Sequence, residues 1–287
     1  MGHIFTVIAP GAMGSAVARR MHERGATVRT SLAGRSAASI RHAAEAGMSA
    51  VENDRALVEG VDIVLSIVPP GEAVGLAERL LPLLAAASRK PLVVDCNAIN
   101  PATAARIAAI LAPSGAAFAD GGIIGGPPKL DGPGPRFYLS GPAAGDAAIL
   151  REYGLDIRLL DGAIGAASAL KMSYAGITKG LTALGSAMML GAAASGSAAA
   201  LLKELGDSQP NLLAYLRRSV PDMYGKAHRW VAEMDEIAGF LGEDSPSGWI
   251  YQGMAQFYDS IATAAAADRA PGNPVATLES VLAAGAI

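Results

Sequence analysis

Val7–Ala16, VIAPGAMGSA, joins the end of one apolar run to the start of an amphipathic one. Ile4 to Ala9 reads as a strand, and Ala12 to Arg24 has helical spacing at Met13, Val17 and Met21. Between them, Ala9-Pro10-Gly11-Ala12-Met13-Gly14 falls in the frame of G-x-G-x-x-G, with alanine at the first glycine. In this frame Gly11 lets backbone approach a pyrophosphate, and Gly14 lets the helix pack on the strand. The N–H groups of Ala12 and Met13 open the helix without helical acceptors and carry its positive dipole end, which suits an anion. Pro10 biases Ala9 toward extended backbone, where alanine is unstrained. The turn therefore reads as a dinucleotide-binding turn despite its missing glycine.

The same alternation continues outward. Strand-like runs at Thr27–Leu32, Asp62–Val68, Pro91–Cys96, Ala116–Asp120 and Arg136–Ser140 are separated by helical stretches at Ser36–Ala46, Ala73–Ala87 and Pro101–Leu111. Strands separated by helices of this length predict βαβ units and a doubly wound, mostly parallel sheet, a Rossmann domain of the α/β class. From about Gly165 strand signals vanish and helical ones take over. The expected organisation is a dinucleotide-binding domain over 1–163 and an all-α substrate and dimerisation domain over 164–287.

Composition narrows the partners. The 287 residues are 51% apolar and 17% charged, which argues against disorder. A net charge of −3 gives no basic footprint for nucleic acid. Cys96 stands alone and the four histidines lack metal-ligand spacing, so neither disulfides nor a metal are expected. The amino-terminal apolar run has no basic leader, and a cytoplasmic protein is expected. Gly180–Leu202 holds 23 residues without a charge, but it is built mainly of Ala, Gly and Ser. Such a stretch suits a buried helix that neighbours approach closely, not a membrane span.

The second strand speaks to the cofactor. An acidic residue about 20 positions beyond the fingerprint accepts the ribose hydroxyls of NAD. Here the strand ends Ser31-Leu32-Ala33-Gly34-Arg35-Ser36, without a carboxylate. Arg35 with Ser31 and Ser36 offers a charged fork and two hydroxyls, as the 2′-phosphate of NADP requires, so NADP(H) is expected ahead of NAD. Val68 and Pro69, ending the third long strand, join Gly11, Ala12, Met13, Gly14 and Asn97 as expected cofactor contacts. Asn97 reads equally as a cap for the helix near Pro101.

At this point the chain resembles the β-hydroxyacid dehydrogenases, the superfamily of 6-phosphogluconate and 3-hydroxyisobutyrate dehydrogenases. APGAMGSAVARRM stands for the family's glycine turn, and Asp95-Cys96-Asn97-Ala98-Ile99-Asn100-Pro101 for its D-x-S-T-x-x-P segment near the nicotinamide. Asp120-Gly121-Gly122 stands where the substrate-binding S-G-G lies, and Gly165 precedes Lys171 as in the family's catalytic-lysine segment. Ala232-Glu233-Met234-Asp235 matches the frame of a C-terminal K-D-L. The resemblance implies hydride transfer between a nicotinamide and a small hydroxy or oxo substrate, probed here by Asp120, Gly121 and Gly122. The chain departs from the pattern at Asp120, at Ala175 in place of asparagine, and at Met234 in place of lysine. These departures leave the substrate open.

Lys171 is the expected proton-transfer residue, for a lysine entering an apolar environment is a useful base or acid near neutral pH. At 100° per residue, Tyr174, Ala175 and Thr178 lie within about 60° of it on one helix face. Tyr174 is a candidate donor to the substrate oxygen or a core tyrosine. Lys179, about 80° round and roughly 12 Å along, is a candidate for an anionic substrate group or an ion pair. His228 is a further substrate candidate, and Gly121-Gly122 with Gly125-Gly126-Pro127-Pro128 is expected to form a backbone-rich loop over the substrate. Imine reduction, on the same two-domain plan, and a non-catalytic NADPH sensor are the alternatives. The expected assembly is a homodimer.

Overall fold

The computed structural model describes residues 2–129 and 132–284. Its eight-stranded sheet has the order β3-β2-β1-β4-β5-β6-β7-β8. The strands are β1 (Ile4–Ile8), β2 (Thr27–Thr30), β3 (Ser49–Ala50), β4 (Ile63–Ser66), β5 (Leu92–Asp95), β6 (Phe118–Ile124), β7 (Arg136–Ser140) and β8 (Asp156–Leu159). Pairing is parallel from β3 through β6, antiparallel between β6 and β7, and parallel again between β7 and β8. The helices α1 (Ala12–His22), α2 (Ala37–Glu45), α3 (Ala73–Ala86) and α4 (Pro101–Leu111) connect the first strands. The doubly wound, mostly parallel sheet read from the sequence is thus the fold.

Strand periodicity of two divides the core between the sheet's faces. Phe5, Val7, Leu65, Val94, Phe137 and Leu139 face one cluster, closed by Val17 and Met21 of α1. Ile8, Val64 and Val93 face the other, closed by Leu76, Leu80 and Leu84 of α3 and by Ile107 and Leu111 of α4. Each of these larger side chains, once buried, contributes about 1.5–3 kcal/mol. Neither β3 nor β8 was expected: the first is two residues long, and DIRL of the second carries two charges on an edge strand.

Contacts divide the chain into two compact units, Met1–Met172 and Ser173–Ile287. The division falls within α5 (Ala166–Ala194), and the second unit begins nine residues beyond the first residue of the expected second domain. The second unit is helical, with α6 (Ala198–Ser208), α7 (Pro210–Tyr224), α8 (Ala227–Leu241), α9 (Pro246–Ala266) and α10 (Pro274–Ala284). Met223, Met234, Ile237, Tyr258, Ile261 and Leu278 are among its buried residues. Among the described residues no helix is long and apolar enough to cross a membrane. The uncharged stretch is broken, because α5 stops at Ala194 and α6 starts at Ala198.

One expectation for α5 fails. The uncharged stretch is expected to form a buried helix, but α5 exposes Tyr174, Ile177, Leu181, Leu184 and Met188 at alternating spacings of three and four. Small residues bury the helix on the side of α9, where Gly176 meets Tyr251 and Gly180 meets Met254. The larger apolar residues lie on the other side.

Candidate functional site

The carboxyl ends of β1, β2, β4 and β5 share one edge of the sheet, because these strands run parallel. Outside such ends is where open α/β sheets bind ligands. At the end of β1, the Gly11 amide donates to the Ala9 carbonyl at 2.9 Å, and Ser15 returns its amide and hydroxyl to the Gly11 carbonyl. No side chain caps α1, and the first-turn amides of Ala12 and Met13 have no helical acceptor. A Cβ at Gly11 would meet nothing within 4 Å, whereas one at Gly14 would sit 2.1 Å from the Ala9 carbonyl oxygen. Gly11 thus faces open space and Gly14 makes the strand–helix contact. The open, uncapped turn fits a dinucleotide pyrophosphate. A groove of about 640 Å³ runs along α1 from Ala12 past Ser15 and Arg19 to Pro127, Pro128 and Lys129.

Beyond β2, Ser31 and Arg35 are half-buried, and no hydrogen bond or ion pair engages the Arg35 guanidinium among the described residues. Ser36 has a job of its own: its hydroxyl caps α2 by accepting from the Ser39 amide at 3.2 Å. That leaves Arg35 and Ser31 as the groups able to meet a 2′-phosphate.

Asn97 departs from expectation. Its side chain is buried, and Oδ1 accepts from the Val68 amide at 2.6 Å. Its Nδ2 donates to Ser66 Oγ at 2.8 Å and to Asp95 Oδ2 at 2.7 Å. Both Nδ2 hydrogens are engaged, so the buried amide ties the loop after β4 to the end of β5 and has no donor left for a ribose. The helix cap expected of it is supplied by Asn100, which accepts from the Thr103 amide. Val68 is buried in this network and Pro69 is exposed beside it. Asp95 itself is 3% exposed, and its pKa is pushed up to about 7, first by burial and then by the charge of Asp120, against the hydrogen bonds from Asn97 that lower it.

Asp120 is the larger correction. It is fully buried in β6 and accepts from the Gly165 amide (2.9 Å), the Ser168 amide (3.0 Å), Ser168 Oγ (2.5 Å) and Ser140 Oγ (3.0 Å). Ser140 in turn accepts from the Ala167 amide at 2.9 Å. Three of these four donors come from the amino end of α5, where a carboxylate also complements the helix dipole. Asp120 therefore anchors the helix and does not touch substrate. In contrast to α1, the start of α5 keeps no free amide for an anion.

The glycines beside it permit close packing. Gly121 and Gly122 lie inside β6, buried, not in the loop the sequence suggested. A Cβ on Gly122 would come within 2.8 Å of the Ala167 carbonyl oxygen and 3.0 Å of Lys171 Cβ. One on Gly121 would come within 2.7 Å of the Asp95 carbonyl oxygen. Gly122 lets α5 lie against the strand and sets Lys171, half-buried, beside it, whereas Gly121 makes room for the end of β5. Only Gly125–Pro128 of the expected loop is a loop, and Arg20 holds its far side by donating to the carbonyls of Lys129 and Gly132.

The helical unit holds the remaining candidates. Tyr174 is half exposed, so it is no core residue. Lys179 forms an ion pair with Glu233, both side chains about 15% exposed, and its ammonium lies 5.1 Å from the Trp230 ring centroid. Its charge is compensated within the chain and is not available to a substrate anion. Met234 and Ala175 are buried, and His228 is exposed on the first turn of α8. Sequence reasoning missed Ser140, Ser168 and Glu233, whose partners lie 20 to 54 residues away. Among the described residues no cluster of His, Cys, Asp and Glu has the arrangement of a metal site.

Comparison with known proteins agrees with this geometry. Residues 5–144 match the NAD binding domain of 6-phosphogluconate dehydrogenase, and residues 192–261 match DUF1932, a domain of unknown function. The 3-hydroxyisobutyrate dehydrogenase of Pseudomonas aeruginosa is 32% identical over 120 residues, 39% of each chain. An uncharacterised 28.5 kDa protein of Methanothermus fervidus is 29% identical over 55% of this chain, which spans 58% of that relative's length. The solved conserved protein MTH1747, of unknown function and described as structurally similar to 3-hydroxyacid dehydrogenases, aligns with a TM-score of 0.68 and 26% identity over 92% of this chain and all of its own. An imine reductase from Myxococcus stipitatus in complex with NADP+ shares the fold, with a TM-score of 0.55 and 20% identity over 91% of this chain and 93% of its own. With its dinucleotide turn and its anchored lysine helix, the chain is thus similar over residues 5–144 to the NAD binding domain of 6-phosphogluconate dehydrogenase, and its fold is shared with a protein described as structurally similar to 3-hydroxyacid dehydrogenases.

Proposed function

We propose that this protein is an NADP-dependent oxidoreductase that moves hydride between the nicotinamide and a small, anionic hydroxy or oxo substrate, with Lys171 as general acid/base. The observation that carries the reading is the placement of Lys171. Asp120 and Ser140 hold the start of α5, and Gly122 gives it room to lie on β6. The nicotinamide, when bound, supplies the hydride acceptor or donor. In oxidation Lys171 takes the hydroxyl proton as the C–H hydride leaves carbon, and in reduction it returns that proton to the oxygen. Gly11, Ala12 and Met13 hold the pyrophosphate, and Arg35 with Ser31 favours the 2′-phosphate of NADP.

Lys171→Ala is expected to lower kcat by roughly 10²–10⁴, the usual worth of a positioned acid/base, while NADPH affinity stays within about twofold. Retained turnover would remove the lysine from the mechanism. NADPH binding without turnover on any oxo acid or cyclic imine would favour the sensor reading. Turnover of cyclic imines alone would favour imine reduction, for which the imine reductase fold is the support. Arg35→Ala is expected to bring NADPH affinity down toward that for NADH.

The exposed stripe on α5 supports a homodimer. Five apolar side chains 40–64% exposed run from Tyr174 to Met188, roughly 21 Å of helix. They expose on the order of 500 Å² per chain, at the upper range of patches on monomers. Two copies pairing through it would bury about 1,000 Å², where specific interfaces begin. Leu184→Glu is expected to turn a dimer by light scattering into a monomer, and an unchanged mass would refute this pairing.

A further inference from the structure

We infer that the helical unit contains an oxyanion-binding cavity in which Arg218 supplies the charge. The cavity measures about 570 Å³ and lies between α5, α7 and α8, with Thr178, Tyr215, Arg218, Ser219 and Asp222 in its wall. That volume falls within the range of small-molecule sites.

The charges around it decide what it holds. Lys179, which also lines it, is neutralised by Glu233. Asp222 is neutralised by Lys226, whose ammonium donates to both its oxygens at 2.5 and 2.6 Å. Arg218 is left: its guanidinium has no carboxylate within ion-pair distance among the described residues. It lies 5.8 Å from the centroid of the Tyr215 ring, a cation–π contact that holds the planar fork in place. Tyr215 is itself fixed, its hydroxyl donating to the Thr178 carbonyl at 2.5 Å. The wall therefore has one uncompensated positive charge, with a geometry suited to two parallel hydrogen bonds to a carboxylate, phosphate or phosphonate.

A second observation points the same way. Ser219 Oγ is buried and has no hydrogen-bond partner among the described residues. A buried hydroxyl left unpaired is costly, and an oxyanion beside Arg218 would relieve that cost by accepting from it. The half-exposed Tyr174 stands at the same cavity. The substrate anion expected at Lys179 is thus assigned to Arg218. The identification of this anion with the substrate's rests on the oxidoreductase reading, but the binding does not.

The test is calorimetric titration with inorganic phosphate and, in a parallel arm, malonate, using the full chain with and without saturating NADPH. NADPH occupies the α1 turn, which would otherwise bind phosphate as well. Arg218→Ala is expected to weaken the binding at least tenfold, Arg218→Lys less, and Ser219→Ala by two- to fivefold. The arm that binds more tightly tells phosphate from carboxylate. Equal binding by wild type and Arg218→Ala in both arms would overturn the inference. Arg218 is exposed, so its removal spares the core, and a folded Arg218→Lys intermediate between the two guards against misfolding. If the Arg218-dependent binding persists while Lys171→Ala keeps full turnover, the cavity stands and the catalytic reading falls. The opposite pair of results removes the cavity alone.

Discussion

Asp95 gives the most quantitative handle on the carboxyl edge of the sheet. Its carboxyl group is buried beside Asp120, and its pKa rises from the ordinary 3.8 to about 7. The folded chain therefore holds a proton that the unfolded chain releases. Between about pH 4 and pH 7 the native state binds more protons, so stability falls as pH rises through that window and levels off above it. At about 1.4 kcal/mol per pH unit, the rise corresponds to roughly 4 kcal/mol. Asp95→Asn removes the titration. The amide's own conflict, an Nδ2 facing the Nδ2 of Asn97, costs on the order of 1–2 kcal/mol at every pH. The stability of the variant relative to wild type is thus expected to increase by up to about 4 kcal/mol between pH 4 and pH 7.5. Both tryptophans, Trp230 and Trp249, lie in the helical unit, so fluorescence reports the wrong part of the chain. Urea denaturation followed by amide exchange of β4 and β5 peptides reads the right one. A stability difference that is flat across the window, or that shrinks with rising pH, would refute the argument from burial.

The two turn glycines should separate. Gly14→Ala forces a Cβ to 2.1 Å from the Ala9 carbonyl oxygen, so a loss of 3 kcal/mol or more is expected in thermal or urea unfolding. Gly11→Ala meets nothing, so stability should hold while NADPH affinity drops, because the added methyl stands where the pyrophosphate approaches backbone. Unchanged NADPH binding by Gly11→Ala would place the cofactor elsewhere. Glu233→Gln leaves Lys179 largely buried without its countercharge and should destabilise the helical unit by about 2–4 kcal/mol. Trp230, which lies under Lys179, makes its fluorescence the natural readout, and a midpoint equal to wild type would mean the pair is idle.

What the sequence disclosed and what it hid differ in physical reach. The β1–α1 turn was legible because its strand, its glycines and its helix lie within 20 residues, and local backbone geometry dictates each. The alternating apolar runs of β4 and β5 were legible for the same reason, each being buried on both faces. Gly121 and Gly122 misled because glycine ordinarily marks a turn. Here Gly121 marks close approach by β5 and Gly122 by a helix that begins 44 residues later, and nothing nearby in the sequence announces that helix. Asp120 misled for a related reason: a carboxylate at a motif's substrate position looks reactive until its four donors are known, and three of these come from residues 45 to 48 positions on.

The same reasoning separates the two lysines of α5. Lys171 and Lys179 are alike as letters, both on one nearly uncharged helix. Lys179 meets Glu233, 54 residues away, and its charge is spoken for. Lys171 has no carboxylate partner among the described residues and stands against a strand position that has no side chain. A countercharge fixes a lysine as structure, whereas an uncompensated one beside a glycine of the strand remains available for chemistry. By that criterion Arg218, which no motif marks, is the cation of the helical cavity that most needs a ligand.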